Sequence, residues 1–304
     1  MTICAAWVRN VNNTEELVFA SDSRLSGGGE LFDGCAKLLT FSRRDCAIAF
    51  AGDTLHAFPM MQQLALAIQA HEPAEEGMID ISELRRHALN LFSSMARQIS
   101  CSPLTHPPQE VVVDAKFLFG GYSWMRKRFE LWKITYDQEL RRFISAPAPT
   151  ISFEAQAGKF LIRRGKTKTV PASKICIGGD QAELATTLLL QKLSSRDGKT
   201  FNGLNWEPFE VIRDMLRAKR RAETIGGAPQ IIKVYPYMRS APLAVFWPIK
   251  RNGKVFLQGR ECLDYESIDH WILDPDALRS QHLKHTNNRQ SGKEESEPHQ
   301  TLRN

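Results

Sequence analysis

Chemistry first suggests itself at the second residue. Removal of Met1, which a neighbour as small as Thr2 permits, leaves Thr2 with a hydroxyl and a free α-amine. An α-amine has a reference pKa of about 7.7–8.0 and can take the proton of its own hydroxyl, so such a threonine is nucleophile and base in one. A lysine ammonium beside the hydroxyl would favour its ionised form, and a carboxylate would keep that lysine charged and oriented. Acyl transfer also needs a donor for its oxyanion. Gly52 directly precedes Asp53, a residue type that caps helices, so its N–H would lie near a helix N-terminus and its favourable dipole.

Other constellations are weaker. Six cysteines, at positions 4, 35, 46, 101, 176 and 262, show no CxxC spacing and read as buried reduced thiols, Cys4 included. Of eight histidines only His282 and His285 are closely spaced, so neither a metal site nor another cofactor is expected. Ser26-Gly27-Gly28-Gly29 and Ile177-Gly178-Gly179-Asp180 match neither the dinucleotide fingerprint nor the phosphate loop.

The elements that must position these residues follow from hydrophobic period. Ile3–Val8 and Leu17–Ala20, separated by Asn12-Asn13-Thr14, read as a hairpin of half-buried strands. Ala36–Phe41 and Cys46–Phe50 follow as strands around the polar turn 42–45. Leu55, Phe58, Met61, Ala65 and Ile68 then recur at helical steps behind Asp53, and Leu84, Ala88, Leu91, Met95 and Ile99 mark a second helix, stopped by the prolines of Ser102–Pro108. Strands are expected at Lys116–Tyr122, Phe129–Thr135 and Arg142–Ser145, helices at Ala182–Leu193 and Pro208–Arg220, and strands at Ile231–Tyr237 and Ala244–Trp247. The order of strands, two helices, strands, two helices, strands predicts an α+β fold. Two stacked antiparallel sheets would carry helices on both outer faces, a four-layer αββα sandwich.

Several motifs, in order and spacing, carry a resemblance. Thr2-Ile3-Cys4, Val18-Phe19-Ala20-Ser21-Asp22-Ser23-Arg24, Lys37 and Ala49-Phe50-Ala51-Gly52-Asp53-Thr54 resemble the N-terminal signature of proteasome β-type subunits, N-terminal-nucleophile hydrolases. The likeness is nearest to the bacterial heat-shock-locus peptidase and ancestral β-subunit (Anbu) groups and covers roughly residues 2–250. It implies a threonine peptidase with Thr2 as nucleophile, Asp22 and Lys37 as its activating pair and Gly52 as oxyanion donor. Ser23, Arg24, Asp180, Glu223 and Thr224 are the auxiliary candidates. Two departures stand out. Where the family has serine in a Gly-Ser-Gly turn, this chain has Gly178-Gly179-Asp180, and the later Asp and Ser are replaced by the region of Glu223 and Thr224. Asp180 could accept from the α-ammonium of Thr2 and raise its pKa.

The chain has 304 residues, 42% hydrophobic and 24% charged, with a net charge of +6. That balance belongs to a globular domain, and the modest excess is smaller than nucleic-acid binders usually carry, so no nucleic-acid partner is expected. Its local concentration is Lys159, Arg163, Arg164, Lys166, Lys168 and Lys174, with no acid between Glu154 and Asp180, on a basic insertion near 137–174. The remaining boundaries are a C-terminal extension at 251–279 and a polar tail at 280–304 expected to be disordered. No apolar run spans a membrane and no secretory signal stands at the N-terminus, so a cytoplasmic chain is expected. Its expected partners are a peptide or protein substrate and copies of itself in a ring or helical assembly, with an ATPase or an acidic partner open. Two alternatives share the residues: a self-assembling scaffold without activity, and an amidase or acylase for small substrates.

Overall fold

The computed structural model describes residues 2–282 except 12–13, 28, 101–111, 155–157, 166–170, 196–200, 219–223, 238 and 252. β1 (Ile3–Val11) and β2 (Thr14–Ser21) form the N-terminal hairpin, with Cys4 opposite Ser21. A small hairpin of β3 (Arg24–Gly27) and β4 (Glu30–Asp33) follows, then β5 (Leu38–Thr40) and β6 (Cys46–Gly52). Three helices come next: α1 (Thr54–Gln69), the single-turn α2 (Glu72–Glu75) and α3 (Ile81–Ala96). β7 (Ala115–Ser123), β8 (Arg128–Asp137) and β9 (Arg142–Pro147) complete an antiparallel sheet of order β5-β6-β7-β8-β9.

β10 (Thr150–Glu154), β11 (Lys159–Arg163) and β12 (Ala172–Gly179) precede α4 (Ala182–Ser194) and α5 (Glu207–Arg217). β13 (Gln230–Tyr235), β14 (Arg239–Trp247), β15 (Lys254–Leu257), β16 (Arg260–Glu261), β17 (Trp271–Leu273) and β18 (Ser280–His282) follow. Together with the first hairpin these strands form an 11-stranded sheet. Its path runs β11-β10-β12-β1-β2-β13-β14-β15-β16, with β17 parallel to β14 and β18 beside β17.

β1 shows why its sequence is apolar at nearly every position. Cys4, Ala6 and Val8 face Ala47, Ala49, Leu118 and Leu131 of the smaller sheet, while Ile3, Ala5 and Trp7 face Leu189 of α4 and Phe209 and Ile212 of α5. Both faces are buried, so the strand is not the half-buried one its alternation suggests, and a continuous apolar run is what that environment requires. On the far side of the smaller sheet, Ile48, Phe50 and Phe117 pack against Met61 and Leu64 of α1 and Leu84 and Phe92 of α3. Asp53 caps α1 by accepting from Leu55 N at 2.9 Å, and Asp80 caps α3.

The expected four-layer αββα sandwich of α+β class is not the fold. Strands occupy 43% of the chain and helices 24%, in large antiparallel sheets with five helices among the described residues. The physical reason lies in segments that carry no helical or clear strand period. Besides the expected strand that becomes β9, the stretch read as a basic insertion supplies β10, β11 and the start of β12, and the stretch read as a C-terminal extension supplies β15 to β17, so the sheets run beyond the helices. Ser280–His282, placed in the polar tail, add a further strand. The remainder of that tail, Ser102–Pro108, Lys166 and Lys168 lie outside the described residues. Arg163 pairs with Glu154 at 3.0 Å and Lys174 with Glu130 at 3.0 Å, which neutralises part of the basic run.

Candidate active site

Thr2 stands immediately before β1, only 1% exposed. β1 is fixed from both sides, by β2 and by β12, and the β12 contact is unusually close. Gly179 sits opposite Ile3 with φ +106°, and a Cβ on it would fall 1.7 Å from the Thr2 carbonyl oxygen, so only glycine fits. That approach brings the next residue, Asp180, back onto the N-terminus: Thr2 N donates to Asp180 Oδ1 at 2.7 Å. The other carboxylate oxygen accepts from the Thr224 hydroxyl and, at 3.3 Å, from Gln181 Nε2. Burial pushes the Asp180 carboxyl up, but these hydrogen bonds outweigh it and hold it below the usual range.

Asp22 follows the end of β2, where its N–H donates to Ile3 O at 3.2 Å. Its carboxylate is wholly buried and accepts four bonds. Oδ1 receives Ile3 N at 3.1 Å and Lys37 Nζ at 2.9 Å; Oδ2 receives Arg24 N at 3.1 Å and Gly226 N at 3.2 Å. Burial raises the Asp22 pKa against the opposing pull of the Lys37 charge and of these donors. Four donors on two oxygens are the full complement of an ionised carboxylate, and a bound proton would have to displace one.

Lys37 precedes β5, and its Nζ also donates to Thr2 Oγ1 at 2.9 Å. One buried ammonium thus joins the nucleophile candidate to the carboxylate, with both side chains of the ion pair inaccessible to solvent. Its backbone is held by Gln230, the first residue of β13. Gln230 Oε1 accepts from Lys37 N at 2.9 Å while Nε2 donates to Asp22 O at 3.1 Å and Cys35 O at 2.6 Å. Gln230 is completely buried and the sequence reading passes over it. Its signal was an amide opening the otherwise apolar run Ile231-Ile232.

Gly52 ends β6 with φ +102°, where a Cβ would lie 2.5 Å from Asp114 O. It lines, with Thr2, Gly179 and Asp180, an open cleft of about 590 Å³ walled by Leu25, Phe32, Glu30, Asp114 and Lys116. The structure therefore gathers Thr2, Asp22, Lys37, Gly52, Asp180 and Thr224 in one place.

Two auxiliary candidates serve elsewhere. Ser23 Oγ donates to Ala228 O at 2.9 Å, and Arg24 makes a forked pair with Asp33 at 2.6 and 2.8 Å. Glu223 lies outside the described residues. Cys4, next to the site, has its thiol pushed up to about 12 by burial, which leaves it protonated and unreactive at neutral pH. No three His, Cys, Asp or Glu side chains gather as metal ligands among the described residues, and no helix there is long and apolar enough to cross a membrane. No protein-family model matches the chain, and no curated protein matches it.

Proposed function

We propose that the chain is a threonine-type amidohydrolase that cuts peptide bonds through an acyl-enzyme on Thr2 after loss of Met1, as its resemblance to proteasome β-type subunits implies. One observation carries the reading: Lys37 Nζ lies 2.9 Å from both Thr2 Oγ1 and Asp22 Oδ1, beside an open cleft. Thr2 Oγ1 attacks the scissile carbonyl carbon and its proton passes to the residue's own α-amine, while the Lys37 charge stabilises the developing alkoxide. The oxyanion accepts from Gly52 N–H. The C–N bond breaks, the departing amine takes the proton from the α-ammonium, and water, giving a proton to the regenerated Thr2 α-amine, opens the ester while Thr2 Oγ1 recovers that proton.

The test is intact mass after exposure to a peptide epoxyketone. The expected result is a chain lacking Met1 with a single adduct at Thr2, and none on Thr2→Ala. A chain that retains Met1 and takes up no adduct would overturn the proposal.

A further inference from the structure

The cleft at Thr2 has a charge opposite in sign to that of the whole chain. Its lining includes four carboxylates, Glu30, Asp53, Asp114 and Asp180, and one lysine, Lys116, in a protein of net +6. Three of the carboxylates are engaged. Asp114 pairs with Lys116 at 2.8 Å, Asp53 caps α1, and Asp180 accepts from Thr2 N. Glu30 is exposed and has no ion pair or side-chain hydrogen bond among the described residues.

Glu30 belongs to a defined surface. In the β3–β4 hairpin Leu25 stands opposite Phe32 and Gly27 opposite Glu30. Directly opposed residues of an antiparallel pair share a face, as do residues two apart along a strand. Leu25, Gly27, Glu30 and Phe32 therefore form one face of the hairpin, and all four line the cleft. Phe32 is 60% exposed, a large apolar surface beside an unpaired carboxylate. Their backbones are separated by about 7 Å, two strand residues.

We infer that this hairpin face selects the substrate: a peptide segment with a cationic side chain two residues from an apolar one, the cation meeting Glu30 and the apolar group Phe32 and Leu25. An extended peptide presents side chains i and i+2 on one face at the same spacing. Gly27, without a side chain, leaves the approach to Glu30 open. The inference rests on the hydrolase reading for the bond that is cut, but not for what is bound.

Binding therefore tests it apart from catalysis. Fluorescein-labelled hexapeptides with leucine fixed, and lysine, norleucine or glutamate two residues before it, are titrated by anisotropy against the Thr2→Ala chain. The lysine peptide should bind about tenfold tighter than the norleucine peptide, with glutamate weakest, and the gap should narrow as salt rises. Added Glu30→Gln should bring lysine and norleucine to within about twofold, and Glu30→Lys should reverse the order. Because Glu30 is exposed, these changes leave the buried core untouched. Equal or absent binding of the three peptides, or a lysine preference unaltered by Glu30→Gln, would overturn the inference. Lysine preference without epoxyketone adduct would sink the hydrolase reading alone, and adduct without preference would sink this one alone.

Discussion

Among the described residues two ion pairs are shut off from solvent, and they are built in different ways. Arg43 and Asp45 make a forked pair at 2.6 Å on both arms, and the remaining guanidinium bonds go to the carbonyls of Ala74 and Ile79, in and beyond α2. The hydrogen bonds of that cation among the described residues end on groups that hold the fold. Lys37 and Asp22 are equally inaccessible, yet the lysine makes one bond to the carboxylate and another to a hydroxyl at the edge of a cleft. A buried charge costs several kcal/mol of desolvation. In the first case fixed carbonyls and a carboxylate offset it; in the second, part of the charge is directed at an atom that can react.

Replacing each cation by a similar apolar side chain should separate the two uses, and this is the largest effect expected. Arg43→Met leaves Asp45 without its forked partner and takes a donor from the Ala74 and Ile79 carbonyls, and should cost about 3–5 kcal/mol in urea unfolding. Lys37→Met leaves Asp22 with its three backbone N–H donors, so the loss should be nearer 1–3 kcal/mol. Epoxyketone labelling should behave in the opposite way. It should fall by about 10³-fold in Lys37→Met, roughly 4 kcal/mol in the barrier, and little in folded Arg43→Met. Equal losses of labelling in the two variants would erase the distinction.

A second difference lies in what holds each cation in place. Arg43 is tied directly to carbonyls, whereas Lys37 is tied through Gln230, which bridges the backbones of Lys37, Asp22 and Cys35. Gln230→Leu strips these groups of partners and should destabilise the chain by about 2–3 kcal/mol, with slower labelling at Thr2 in the fraction that folds. Gln230→Glu retains an acceptor for Lys37 N but loses the amide donors, and should fall between Leu and the parent. Labelling unchanged in both variants would remove Gln230 from the site's support.

What the sequence disclosed and what it withheld divide along the same line. Thr2, Asp22, Lys37 and Gly52 were singled out by the resemblance their motifs carry, and they stand before β1, after β2, before β5 and at the end of β6. Gln230 and Gly226 were not, since they act on Asp22 and Lys37 from about two hundred residues away and carry no local pattern of their own. The fold was misjudged for a related reason. β10, β11 and β15 to β18 are short strands at sheet margins with few buried positions, too brief and too polar to show a period, and without them the helices seemed to set the architecture. The β3–β4 hairpin was missed as well, although Leu31 and Phe32 beside turn-forming glycines marked it.

The smallest effect expected concerns Asp180, the partner of the Thr2 nitrogen. Asp180 lies below the ordinary carboxylate range, so it is ionised throughout neutral pH. A carboxylate 2.7 Å from the Thr2 nitrogen favours the ammonium over the amine once Met1 is gone, and so raises that group's pKa above its reference of about 7.7–8.0. Attack requires the free amine, so this carboxylate shifts the acid limb of the labelling rate to higher pH, against the opposing pull of the Lys37 charge. Asp180→Asn can keep its carbonyl oxygen on the Thr2 nitrogen while removing the charge, so the midpoint of that limb should move down by about one unit. On the acid side of both midpoints this is roughly a tenfold gain in the fraction of free amine, set against any loss in orientation. A midpoint that stays in place in Asp180→Asn would mean that the carboxylate positions the N-terminus without tuning it. Asp180 would then resemble Arg43, whose hydrogen bonds among the described residues serve the fold, and not Lys37.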